Sequence, residues 1–155
     1  MNGESKAYEG RAVMLIRKPA NEVFAAIVDP AITTRFWFTK SSGRLTQDAR
    51  VQWEWEMYGV SAQVHVLEIE PNKRVVVEWA GANQSATTVE WLLTPRANNA
   101  TYVSIRQRGF KGSLDEIVNQ AIDSTGGFSF HLAGMKAVLE HDIDLNLIAD
   151  HHPKE

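Results

Sequence analysis

A chain of 155 residues that is 44% hydrophobic and 23% charged has the size and make-up of one globular domain, and neither disorder nor a membrane-type composition fits it. Sixteen basic against nineteen acidic residues leave a net charge of −3, so no basic field draws a nucleic-acid backbone, and nucleic acid is not an expected partner. The absence of cysteine removes disulfides, thiolate nucleophiles and thiolate metal ligands together. Met1 to Tyr8 is polar, and no stretch approaches the roughly 20 apolar residues that span a bilayer, so a cytoplasmic protein without membrane insertion is expected. The expected organisation is one domain over 1–155, with a core from about 8 to 148 and frayed termini.

Gly10 to Ile16 is an apolar, partly β-branched run that reads as a buried strand. Pro19 ends it and suits the first turn of a helix in which Val23, Phe24, Ile27 and Val28 share a face. Asp29-Pro30 stops that helix. A second short helix is expected over Ala31 to Phe36, leading into Phe36-Trp37-Phe38, which reads as a hydrophobic plug at one end of the core.

Beyond Gly43 the period becomes alternating. Val51, Trp53, Trp55 and Met57 interleave with Gln52, Glu54 and Glu56, the pattern of a strand with one dry and one wet face. Strands are then expected over Val60 to Ile69, Lys73 to Trp79, Thr87 to Thr94 and Thr101 to Arg108, separated by Pro71-Asn72, by a loop from Gly81 to Ser85 and by a turn from Pro95 to Ala100. Turn chemistry at such short intervals predicts an antiparallel meander of six or seven strands, not alternating βαβ units.

Helical spacing returns after Gly112. Leu114, Ile117, Val118, Ala121 and Ile122 form one stripe, and Phe128, Leu132, Met135, Val138 and Leu139 form a longer one ending near His141, with Thr125-Gly126-Gly127 expected to kink or split the helix between them. The fold class is therefore α+β: a curved antiparallel sheet wrapped around a long C-terminal helix, with two short helices after the first strand. His151-His152-Pro153 reads as a frayed tail.

Such a sheet must lay one apolar face against that helix. Trp53, Trp55, Trp79 and Trp91 fall on the apolar faces of their strands, in phase with Val64, Val66 and Val77, and from the helix Phe128, His131, Leu132 and Met135 meet them. Indoles facing inward under one straight helix enclose a cavity with a few polar handles, so these eleven residues are the candidate ligand-binding set.

Three ordered motifs carry a family resemblance. Pro19-Ala20-Asn21-Glu22-Val23-Phe24 through Asp29-Pro30, with Phe36-Trp37-Phe38, forms the first. Val66-Leu67-Glu68-Ile69-Glu70-Pro71, with Arg74 and Glu78-Trp79, forms the second. Gly127-Phe128, Leu132, Met135-Lys136 and Leu139-Glu140 form the third. Together they resemble the START-like (SRPBCC, helix-grip) superfamily and, within it, the family of activators of the ninety-kilodalton heat-shock protein's ATPase, in which tryptophan is common at the place of Phe128. The resemblance implies the helix-grip fold and a ligand-sized cavity, because the superfamily includes lipid carriers, hormone binders and aromatic polyketide cyclases.

No hydrolase elbow, zinc-binding helix motif or glycine-rich phosphate loop is present, and neither metal nor cofactor is expected. His131 is the one candidate for proton transfer or ligand hydrogen bonding near neutral pH. His65, Glu54, Glu56, Glu68, Glu78, Arg106 and Arg108 are expected on the wet face, and His141, Asp142 and Asp144 at a solvated helix end. The first functional expectation is binding of a small apolar or aromatic molecule. A cyclase- or aromatase-type enzyme in the same cavity comes second, and contact with a chaperone third.

Overall fold

The computed structural model describes residues 8–81 and 85–153, so the middle of the loop expected from Gly81 to Ser85 lies outside the described residues. Strand β1 (Gly10–Ile16) is followed by helices α1 (Ala20–Val28) and α2 (Pro30–Thr33). Then come β2 (Lys40–Ser41), β3 (Arg50–Trp55), β4 (Val60–Glu70), β5 (Arg74–Gly81), β6 (Thr87–Arg96) and β7 (Ala100–Arg108), and finally helices α3 (Leu114–His141) and α4 (Leu147–His151). All strands join one antiparallel sheet in the order β1-β7-β6-β5-β4-β3-β2. Apart from β1, which returns beside β7, this is the meander that the alternating pattern predicts.

The alternation holds in detail. On β3, Val51, Trp53 and Trp55 are buried, and Arg50, Gln52 and Glu54 point to the other face. Asp29 serves two helices: it ends α1, and its carboxylate accepts from the Ala31 amide to open α2, which explains why the chain turns at Asp29-Pro30. Between Val66 and Glu68 the β4–β5 register slips by one residue, a bulge that bends the sheet. The amide of Gln47 reaches across to it, donating to the Leu67 carbonyl and accepting from the Ile69 N–H. The bulge is thereby left with no orphaned backbone groups at these two places.

Helix α3 begins at a capping box formed by Ser113 and Glu116 and runs 28 residues without interruption. Thr125-Gly126-Gly127 was expected to break it and does not. The Thr125 hydroxyl bonds back to the Ala121 carbonyl and Ser129 to the Thr125 carbonyl, and packing on both flanks outweighs the roughly 1 kcal/mol propensity cost of each glycine. The first expected stripe is also split: Ala121 is buried, but Leu114 and Ile122 are exposed, since this half of the helix covers the sheet with a narrower face.

The helix touches β1 closely and stands off from the rest of the sheet. A Cβ on Gly10 would sit 1.9 Å from Ser124 Oγ, so only glycine admits the helix there. Gly134 plays the same part against Phe36. Lys136 Nζ donates to the Leu15 carbonyl and to Glu140, whose carboxylate also accepts from the Arg17 amide. The interior is thus a wedge, thin at β1 and deep over β3 to β5. Beyond α3 the chain returns to the domain: α4 packs back through the Tyr58 hydroxyl, which donates to the Ile148 carbonyl, and through His151 against Phe130.

Candidate ligand-binding site

The deep side of the wedge is filled with rings. Trp37 stands at their centre, its ring centroid 5.0 Å from Trp53, 5.5 Å from Trp55, 5.6 Å from Trp79, 6.0 Å from Trp91 and 5.6 Å from Phe128. It occupies the space assigned above to a ligand. Phe36-Trp37-Phe38 is therefore a plug driven into the middle of the core, where an end-plug was expected, because α2 aims the segment under α3 and Gly134 lets it approach.

This displaces part of the candidate set. Trp53, Val66, Val77, Trp91, His131, Leu132 and Met135 are buried in the closed core and border no cavity, and Val64, also buried, borders only a hollow of about 170 Å³ beside His65 and Glu78. Trp55, Trp79 and Phe128 do border larger open volume. His65 and the acidic residues of β3 to β5 lie on or toward the outer face, where Arg74 clamps Glu68 and Glu90 at 2.7 and 2.6 Å and Arg108 and Arg106 pair with Glu9. Asp142 and Asp144 bind Arg35 at 2.8 and 2.7 Å. Among the described residues no cluster of His, Asp and Glu is arranged to hold a metal ion.

His131 is buried beside Trp37 (4.5 Å), Phe36 (5.2 Å) and Phe128 (5.8 Å). Its Nε2 accepts from the Trp91 indole N–H at 3.3 Å, which puts the imidazole hydrogen on Nδ1, and Nδ1 has no partner in the structure. Burial without a compensating charge lowers its pKa to about 3, so the ring is neutral at physiological pH.

Two cavities flank the ring cluster, one on each side of a wall made by Trp37, Trp79 and Gly127. The larger, about 590 Å³, lies between the sheet and the first half of α3. Trp37, Trp79 and Phe128 form its apolar side; Trp79 stacks on Trp37 at 23° and on Phe128 at 27°. Its polar side is a hydrogen-bonded chain from three elements, with Ser124 Oγ to Gln107 Oε1 at 2.6 Å and Gln107 Nε2 to Thr87 Oγ1 at 2.8 Å. Lys111, Glu116 and Asp123 stand at the rim. The smaller cavity, about 310 Å³, is lined by Trp55, Tyr58, Ala62 and Phe130 and closed by α4.

Thr87, Gln107 and Ser124 were not among the sequence candidates, although a signal existed for two of them. Gln107 continues the inward parity of Val103 and Ile105, and Thr87 that of Val89 and Trp91, so each is a polar residue in an apolar phase. Nothing comparable marked Ser124.

A curved antiparallel sheet gripping one long helix, with ring-walled hollows between them, defines a START-like helix-grip domain. Residues 17–140 match the family described as Activator of Hsp90 ATPase homolog 1-like protein, and the chain belongs to that family. No curated protein matches it by sequence. Among solved structures it is similar to the protein SSP2350 of Staphylococcus saprophyticus, with a TM-score of 0.75 and 23% identity over 88% of this chain and 95% of that one. DynU16, described as a putative protein in the dynemicin biosynthetic locus, superposes at a TM-score of 0.77 with 19% identity, over 90% of this chain and 49% of its own. The Aha1 dimer of Colwellia psychrerythraea gives 0.71 and 18%, over 86% and 96%. At these identities the likeness is one of fold. Among the described residues, no helix is long and apolar enough to cross a membrane.

Proposed function

We propose that this protein binds a small hydrophobic or aromatic molecule in the larger cavity between sheet and α3. The observation that carries this reading is a volume of about 590 Å³ bounded on one side by the stacked rings of Trp37, Trp79 and Phe128. A cavity of that size suits a two- or three-ring molecule, and burying roughly 200 Å² of apolar ligand surface returns about 5 kcal/mol before ordering costs. The candidate set shrinks accordingly to Trp79 and Phe128, joined by Trp37, with Trp55 bordering the smaller hollow. Catalysis through His131 is disfavoured by position, because Trp37 and Phe128 stand between it and the cavity and its ring does not protonate near neutral pH.

The test is a titration of the full chain with 2-isopropylnaphthalene, followed by tryptophan fluorescence. Saturable quenching is expected, weakened several-fold in Phe128→Trp, whose larger ring narrows the cavity beside Trp79. No saturable change in the wild type would overturn the reading, as would equal binding by the narrowed variant.

A further inference from the structure

We infer that the two cavities act as one groove along α3, joined at Gly127, and that its ligand is an elongated aryl-alkyl molecule: a flat ring system in the larger cavity with an unbranched apolar tail that passes Gly127 into the hollow beneath α4. This rests on the binding reading above and adds the shape of the ligand.

The helix residues along the groove recur at spacings of three and four. Glu116, Gln120 and Asp123 border the larger cavity, Gly127 borders both, and Phe130 borders the smaller. That spacing places them on one ridge of α3, so the cavities lie end to end along a single flank of the helix. At about 1.5 Å per residue, Gln120 to Phe130 spans roughly 15 Å. A bicyclic body covers only part of that length.

The partition between the cavities is thin, and it is incomplete at the helix. Its rings, Trp37 and Trp79, stack with centroids 5.6 Å apart, and Gly127 is the residue of α3 that both cavities share. Apart from the helix's own backbone and the flanking residues, no atom of the described residues lies within 4 Å of where a Cβ on Gly127 would stand. Gly10 and Gly134 are the contrast, since a Cβ there would meet Ser124 at 1.9 Å and Phe36 at 2.9 Å. Those two glycines admit a neighbour, whereas Gly127 faces open space where the partition meets the helix.

Polarity sets the direction in which the ligand lies. The larger cavity carries Thr87, Gln107 and Ser124 on its polar side and Asp123 at its rim. The hollow is walled by Trp55, Ala62, Phe130 and Ile148, and the Tyr58 hydroxyl beside them is already spent on the Ile148 carbonyl. A tail without polar atoms therefore belongs under α4, and the ring body against Trp37, Trp79 and Phe128.

The experiment titrates 2-hexylnaphthalene and 2-isopropylnaphthalene, which share the ring body and differ in the reach of the tail, and follows tryptophan fluorescence. Wild type is compared with Gly127→Leu, which obstructs the passage, and with Ala62→Leu, which fills the hollow and does not border the larger cavity. Gly126→Leu is the control, because it makes the same gain in helix propensity and lines neither cavity. In the wild type and the control the hexyl compound should bind about tenfold more tightly than the isopropyl one. In Gly127→Leu and Ala62→Leu that ratio should fall to about one, and Ala62→Leu should keep the wild-type affinity for the isopropyl compound. Equal affinities in the wild type would overturn this inference and leave the binding reading intact. A hexyl preference that persists in either blocking variant would place the tail elsewhere and overturn it too. Failure of both compounds to bind the wild type would remove the binding reading, and this inference with it.

Discussion

The two flanks of α3 meet the sheet in opposite ways. Over β1 the helix backbone nearly touches the strand, and the sequence there supplies glycine, serine and a lysine that reaches a backbone carbonyl. Over β3 to β5 the gap is wide, and the sequence supplies indoles. Close-packed interiors fill space with what the chain carries, and rigid bicyclic rings cannot tile a wedge completely. The open volume is therefore found where the rings run out, at the two margins of the cluster, and not at its centre.

The comparison breaks first at Trp37. If that indole packs the deep side, Trp37→Ala should cost about 3–5 kcal/mol in urea unfolding, and 2-isopropylnaphthalene should restore part of the loss by occupying the space created. A loss under about 1 kcal/mol would show that the ring only lies against the cluster.

The next largest effect belongs to His131. In the folded protein its ring is neutral with a pKa of about 3, whereas the unfolded chain takes up a proton below the ordinary value of 6.5. Between those two values the unfolded state binds more protons, so stability falls as the pH falls, by roughly 1.4 kcal/mol per pH unit. The lowered carboxyls of Glu116 and Glu140 add their own losses only at more acidic pH, below their ordinary 4.5. His131→Gln, which keeps an acceptor for Trp91, should flatten the stability profile between pH 6.5 and 4.5. Parallel wild-type and variant profiles would contradict the neutral, sealed imidazole.

On the thin side Gly10→Ala should cost about 1–3 kcal/mol, since the new methyl collides with both Oγ and Cβ of Ser124 and the helix must retreat. Thermal unfolding measures this, and an unchanged midpoint would mean that α3 rides more loosely on β1 than the distances indicate.

Much of the architecture was legible because strand alternation is a local signal: the parity of Val51, Trp53 and Trp55 fixes which face is dry without knowledge of any partner. The inward placement of His131 followed in the same way from helical spacing. What parity cannot express is depth. Trp37 and Trp53 both read as buried rings, and only the tertiary approach of α2 at Gly134 decides which of them takes the centre. The continuity of α3 through Gly126-Gly127 was hidden for a related reason, since propensity argues for a break and distant packing opposes it. Thr87 and Gln107 were visible as polar residues in apolar phase, but their meeting with Ser124 needed the helix in place.

All five tryptophans belong to the one cluster, with neighbouring centroids 5.0–6.4 Å apart. At that spacing excitation absorbed by any indole migrates among the others, so the protein should emit as a single antenna with strongly depolarised fluorescence. A molecule that perturbs Trp79 alone will change the light from the whole set.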